Sequence, residues 1–433
     1  MKLRHAVAFS VAAALLASGL WVVGGKMWAA RAEERCDKEW TAIFGSLDDL
    51  EKKHPKRETN ETAKKLEALT RGSSFDLTSD VRRPGSPRRG VPPAEARSNQ
   101  AILDYAMAEI TKGEAVVDPP PEDVARFFEE KRTQLDAIES TLIASPTPQW
   151  SLDISLSERE SPPPNLLGHI RLQRVLMARA LAVAHGGNND AAARLLGASW
   201  NLNESLWTRP ETISVLMAMA GAHLQVGVLR KVNVDERLWN QRLSSLDSRR
   251  SLLGALMLES RPRSAKNSLS HASTSGDDPS WYQRSWAFLT RPTYRLVMVD
   301  YSNLMRDECA QLRAGPLSDH AFVPPAPDVR DVAHILLAVS MPNIKNSFVR
   351  ADRLVIDAEL TSKVLEAKRL RKENGGHWPA AIPGIETSRF PDASWLYEVS
   401  PEGGRMSIAF SRELASPYGQ SGMKALPLRF TSN

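Results

Sequence analysis

At 433 residues, 42% hydrophobic and 25% charged, the chain is long enough for two or three domains and apolar enough to bury a sizeable core, which excludes wholesale disorder. A net charge of +5 and a pI near 9.1 are too small and too dispersed an excess for a nucleic-acid binder, which carries a stripe of one sign. Two cysteines exclude both a disulfide-scaffolded small domain and a multi-cysteine zinc site.

The chain opens with Lys2 and Arg4, then runs uncharged from Ala6 to Gly25. Twenty helical residues cross a hydrocarbon core of about 30 Å, and the run is longer than the apolar core of a cleaved signal peptide. Residues 1–25 are therefore expected to be a membrane anchor, with a signal sequence as the other reading. The basic head favours an inside N-terminus, whereas Lys26, Arg31, Arg35 and Lys38 pull the other way among alternating acids. A short basic head before an apolar run reads as an export signal. The body is thus expected on the periplasmic side of a bacterial inner membrane. Cys36 and Cys309 can form one bridge or remain unpaired, and the unpaired reading is the plainer one.

Beyond the run, Trp40, Ile43, Phe44, Leu47 and Leu50 recur at helical steps, predicting one amphipathic helix that ends near His54-Pro55. Ala63, Leu66 and Leu69 mark a short helix before Gly72. Residues 72–93 carry Arg82, Arg83, Arg88 and Arg89 among prolines and glycines, a basic loop that cannot be a helix or a central strand. Helices are expected at 94–112 and at 122–145, the latter opening on Glu122-Asp123, and a Pro-rich linker at 146–164. Residues 165–260 read as four helices. The first stops at Gly186-Gly187, the second is capped by Asn188, Asn189 and Asp190, and the third starts at Pro210; the fourth runs from Asp235 to Leu258. A polar loop covers 261–279. Helical pattern resumes through Trp281 to Leu312, a Pro-rich loop covers 314–327, the ten residues Val332–Met341 read as a core helix, and 343–374 as one long helix stopped by Gly375-Gly376. WLYEV (395–399), the turn at 401–404 and MSIAF (406–410) alternate as a β-hairpin, with 425–430 a candidate third strand.

These patterns predict a mainly α fold, in which antiparallel helical hairpins form a bundle or short α-solenoid and a small β-hairpin element follows at the C-terminal end. The expected divisions are the anchor 1–25, an N-terminal helical region 26–145, a hairpin core 165–260, a second helical region 280–375 and a small β-containing region 376–433.

The segment 361–379, TSKVLEAKRLRKENGGHWP, resembles a junction found in uncharacterised secreted or membrane-anchored bacterial proteins with helical bodies. In those, a long helix ends in a glycine, an aromatic and a proline before a β-element; the matching residues are Gly376, Trp378 and Pro379. Type II pseudopilins look similar at this junction. Their Gly-Phe-Thr-Leu-x-Glu signal has no counterpart before Ala6, and the resemblance implies no activity for this chain.

No nucleotide-binding, hydrolase-elbow or H-E-x-x-H motif occurs in the sequence. His169 and His223 fall on apolar helix faces and read as core histidines, and His185 sits in a last helical turn where a cation complements the dipole. His320 and His334 have acids nearby, Asp319 and Asp331, without ligand-like spacing. Trp200 with Trp207 and Trp281 with Trp286 read as packing more readily than as a sugar platform. Asp300, Asn303 and Asp307 share a helix face and read as a solvated face or an arginine's partners. Glu259 is the candidate catalytic residue. Ala255 to Arg261 is similar to the start of the lytic transglycosylase motif, which implies a glutamic acid held protonated in apolar surroundings as general acid on a glycosidic oxygen. Pro262 and the stretch Ala272 to Gly276 depart from that motif. The expected function is a membrane-anchored envelope protein, held through residues 6–25, that serves as a non-catalytic scaffold for another envelope protein. No cofactor, metal or nucleic acid is expected. The alternative is a cell-wall glycan-acting enzyme centred on Glu259.

Overall fold

The computed structural model describes residues 2–78, 93–154, 164–261, 281–318, 332–414 and 424–432. In chain order the elements are α1 (Lys2–Phe44), α2 (Leu47–Lys53), α3 (Glu61–Thr70), α4 (Pro93–Ile110), α5 (Glu122–Glu130), α6 (Arg132–Ala144), α7 (Leu166–His185), α8 (Asn189–Trp207), α9 (Thr212–Leu229), α10 (Glu236–Ser244) and α11 (Ser248–Glu259). After these come α12 (Trp281–Ala314), α13 (Val332–Glu373), β1 (Trp395–Val399), β2 (Met406–Phe410) and β3 (Arg429–Ser432). The fold is mainly α with one small antiparallel sheet, as the patterning predicts.

The chain forms two compact units. One takes Met1–Lys53, Leu253–Gly315 and Val323–Ile344, and the other takes His54–Leu252, Pro316–Phe322 and Lys345–Asn433. Each is assembled from separated stretches of the chain.

In the first unit α1 and α12 lie side by side and run parallel. Trp21 Nε1 donates to Leu289 O at 3.3 Å, Trp40 Nε1 donates to Ser302 Oγ at 2.9 Å and Arg313 Nη1 donates to Ile43 O at 2.9 Å, so both helices advance together. The seam on α1 is Val22, Gly25, Ala29, Cys36 and Trp40, spaced by three, four or seven residues, which is one helix face. Gly25 is required there. A Cβ on it would stand 2.8 Å from the Pro292 ring, closer than carbon atoms approach. The helix expected to run to His54 is broken at Gly45, whose φ of 90° only glycine adopts without strain. Ser46 and Asp49 then cap α2 reciprocally, each backbone N–H donating to the other's side chain.

The second unit is a set of helical hairpins with the sheet. Gln173 meets Ser199, and His169 meets Leu202, so α7 and α8 are antiparallel; Asn203 to Ala218 and Ser199 to Gln225 set α9 antiparallel to α8. Asn188 caps α8 as expected, its side chain accepting from Ala191 N, and Gly187 at φ 79° closes α7. Four boundaries differ from the sequence reading. The helix expected over 122–145 is interrupted at Lys131, whose φ and ψ of −102° and 6° leave the helical region. Pro210 is not the first residue of α9, because Glu211 takes the N-cap position in extended conformation and turns its carboxylate to the Arg209 guanidinium. The helix expected from Asp235 to Leu258 divides between α10 and α11 at 245–247, where Ser245 ends one and Asp247 Oδ1 accepts from Arg250 N in the next. The segments 332–341 and 343–374 join into one helix, α13, of 42 residues and about 63 Å.

β1 and β2 pair antiparallel with Trp395 opposite Phe410, and β2 pairs with β3, which starts at Arg429 rather than 425. Residues 113–115 add to the free edge of β3 through Ala115 N to Thr431 O and Thr431 N to Gly113 O. The sheet packs Trp395, Met406, Ile408 and Phe430 onto Ile356, Leu360 and Val364 of α13. Trp378 is buried in the same cluster, so the Gly376-Trp378-Pro379 junction is a packing device: two left-handed glycines end the helix and an indole anchors the turn. By length and composition α9 is apolar enough to cross a bilayer, but most of it is buried among its neighbours, which suits a core helix.

Candidate functional site

A buried cluster of charge lies on the inner face of α13. Arg353, Asp357 and Thr361 follow at steps of four and therefore stack on one side of the helix. All are buried, and Asp357 is fully so. Arg230, just past the end of α9, reaches them: Nε donates to Thr361 Oγ1 at 2.9 Å, and Nη2 donates to Asp357 O at 2.9 Å and Oδ1 at 3.3 Å. Arg353 Nε stands 3.5 Å from Asp357 Oδ1. His223 on α9 faces the same carboxylate, its Nδ1 3.8 Å from Oδ2.

His223, Arg230 and Arg353 each also reach a backbone carbonyl of one segment. His223 Nε2 lies 3.0 Å from Lys424 O, Arg230 Nη1 donates to Pro427 O at 2.9 Å, and Arg353 Nη2 donates to Leu426 O. Nε2–H donation to Lys424 O leaves the lone pair of Nδ1 towards Asp357, which accounts for the long separation there. Burial pushes His223 down to about 4, so the ring is neutral near pH 7, while it lowers Arg230 only to about 10 and leaves it charged. The cluster is a clamp. Two guanidiniums share one carboxylate and hold backbone carbonyls of the tail that leads into β3. The described tail from Lys424 to Pro427 lies across it, and Asp357 is fully buried.

Two lysines use the same device. Lys368 Nζ donates to Arg230 O at 2.8 Å and Val232 O at 3.1 Å, satisfying carbonyls at the end of α9 with a cation on the favourable side of its dipole. Burial lowers it to about 7. Lys231 Nζ donates to Glu114 O and Val116 O at 2.7 and 2.9 Å, fixing the strand-like stretch beside β3. Asp352, lifted to about 6 by burial, accepts from Ser318 N at 2.9 Å beside a cavity of about 10 Å³, room for one water.

The larger concavity is a surface groove of about 410 Å³ formed by α5, α6, α7 and α8. Phe128, Ala182, Val183 and Leu195 supply apolar lining. The rim is built of ion pairs that cross between helices: Arg179 with Asp136 at 2.5 Å and Arg194 with Glu139 at 3.2 Å.

The other residues singled out in the sequence are placed as follows. Glu259 is exposed among the described residues, at the last position of α11. His169 is buried, with Nε2 3.0 Å from Leu202 O, and burial pushes it down to about 4. His185 Nδ1 lies 2.8 Å from Val117 O. Trp200 meets Trp239 edge-on at 5.5 Å with the Arg242 guanidinium over Trp239, a packed stack rather than an open platform. Arg306 takes Asp307 and Asn303, which is the arginine-partner reading of that helix face. Cys36 and Cys309 are free and buried, and Cys36 Sγ lies 3.6 Å from Ser302 Oγ. His320, the basic stretch 79–92 and the loops 155–163, 262–280 and 319–331 lie outside the described residues, as do the side chains of His334, Trp281 and Trp286. No cluster of three or more candidate metal ligands occurs among the described residues. Sequence reading passed over Arg230, Arg353, Asp357 and Lys368. The signal available was a charge repeating at four-residue steps inside the apolar stripe of one helix, where a solvated face would have placed it opposite.

No family model, no curated protein and no solved structure matches this chain.

Proposed function

We propose that the chain is a membrane-tethered envelope protein whose helical body receives a partner protein, with α1 as the tether and the groove of α5 to α8 as the seat. The observation that carries the reading is on α1. Leu16, Leu20, Trp21, Val23, Met27 and Trp28 stand exposed on the helix that continues the uncharged run, a density of apolar surface that a helix in water does not keep. The apolar run matches a bilayer core in length, and the basic head before it favours export of the helical body to the periplasmic side of an inner membrane. The groove suits an amphipathic helix: an apolar floor for its buried stripe and both signs of charge along the rim to set its register.

The test has two parts. The full chain is expected in the membrane fraction, resistant to alkaline extraction and released by detergent; recovery in the soluble fraction would end the tether reading. Val183 lies half-buried in the groove lining. A V183E variant is expected to keep the wild-type melting temperature and lose a partner that the wild type retains on affinity capture from solubilised membranes. Equal recovery by both proteins would remove the groove from the proposal.

A further inference from the structure

The parallel seam between α1 and α12 carries a second consequence, resting on the tether reading. If α1 enters a bilayer, its neighbour is carried to the same depth. Leu289 stands beside Trp21, Pro292 packs on Gly25, and Lys26 Nζ lies 4.7 Å from the centre of the Phe288 ring. The first turns of α12 therefore lie level with the uncharged run, not beyond it. From 281 to 292 the helix advances about 17 Å, more than half the thickness of a hydrocarbon core.

Charge marks the same level on both helices. The first acid on α1 is Glu33, and the first on α12 is Asp300. Glu33 pairs with Arg295, Cys36 lies against Ser302 and Glu39 pairs with Arg306, so positions 33 and 300 lie within about one to two turns of each other along the pair. Between the end of the uncharged run and that level the two helices hold cations without acids: Lys26 and Arg31 on α1, Arg291 and Arg295 on α12; Arg284 stands about two turns earlier on α12. Arg31 and Arg291 are exposed. Exposed aromatic rings gather in the same band: Trp21 at 41%, Trp28 at 62%, Phe288 at 53% and Tyr294 at 41%. Aromatic rings and cations in one band, acids only outside it, are the arrangement that a bilayer interface with anionic headgroups selects.

We propose that α1 and α12 enter the membrane as a pair, with the interface crossing Trp21–Trp28 on α1 and Phe288–Tyr294 on α12, and with Lys26, Arg31 and Arg291 gathering anionic phospholipid headgroups. The start of α12 is then a second membrane-contacting element that no long apolar run announces.

The experiment uses the full chain in phosphatidylcholine vesicles with and without phosphatidylglycerol. Single cysteines are introduced as L20C, F288C or R313C and labelled with a nitroxide. Cys36 and Cys309 are buried and burial raises both thiols, so they are expected to stay unlabelled, which the wild type checks. Collisions with oxygen report lipid, and collisions with a soluble nickel chelate report water. The expected result is loss of nickel collisions at both 20 and 288 and their retention at 313. The label at 288 is also expected to move deeper when phosphatidylglycerol is present, a shift abolished in a K26Q/R31Q/R291Q variant. Lipid at 20 with water at 288 would overturn the inference and leave the tether standing. Water at both positions would overturn both. A depth at 288 indifferent to phosphatidylglycerol would overturn the headgroup assignment.

Discussion

Single buried groups decide how this protein responds to pH and charge removal. His169 is fully enclosed, and its folded-state value near 4 lies below the ordinary 6.5. Between those values the unfolded chain binds a proton that the folded one refuses. Stability is therefore complete above pH 6.5 and falls as pH drops towards 4, by roughly 3 kcal/mol at most for this one group. Denaturant melts from pH 7 to 4 are expected to show that loss, and H169Q is expected to remove this share of it and leave the similar share of His223, because a glutamine amide can still donate to Leu202 O without titrating. Asp357 is the reverse case, a buried charge that must remain. In D357N two guanidiniums face each other without a countercharge, and unfolding stability is expected to fall by about 3–5 kcal/mol. Adding R353M to D357N should restore part of it, since the excess charge is then gone; an additive loss would show that the two residues act independently.

At the scale of elements, local chemistry and packing contribute separately. Caps and breakers act through neighbouring residues: Asn165, Asn188 and Asp235 each accept from backbone N–H groups of the turn they start, and Gly187 and Gly376 end helices by a left-handed turn. The α1–α12 seam is different, because its partners are more than 260 residues apart in sequence. At Gly25 the two helices leave no room for a side chain. G25L is expected to force them apart, breaking the Trp21 hydrogen bond to Leu289 and loosening the Trp40 contact to Ser302. The readouts are tryptophan emission and reaction of Cys36 with a thiol reagent, which burial suppresses in the wild type. Unchanged emission and an inert Cys36 would mean that the seam tolerates the extra volume.

For the molecule as a whole, discontinuity of the units has a consequence for truncation. An anchor followed by an independent body can be removed without harm. Here Met1–Lys53 supplies half of the pair with α12. Deleting residues 1–53 removes Cys36 and Trp40 from Ser302 and is expected to uncover that face of α12, on which Val299, Met305 and Cys309 are buried in the intact chain. The truncated protein is expected to associate on size-exclusion chromatography and to expose Cys309 to thiol reagents. A monodisperse product with an inert Cys309 would show that the second unit and α12 need nothing from α1.

Periodicity and turn chemistry were enough to read most helices and the β-hairpin, because a 3.6- or two-residue repeat and a glycine or asparagine cap act over distances that neighbouring residues span. The divided helices at Lys131 and Ser245 were not legible, since each break sits inside an uninterrupted apolar repeat. Nor was the clamp of Arg230, Arg353 and Asp357, whose charges stand at ordinary helical spacing in the sequence. The parallel seam of α1 and α12 lay further still from view. Burial of a charge and approach of remote helices are set by what fills the space opposite, and that depends on residues hundreds of positions away.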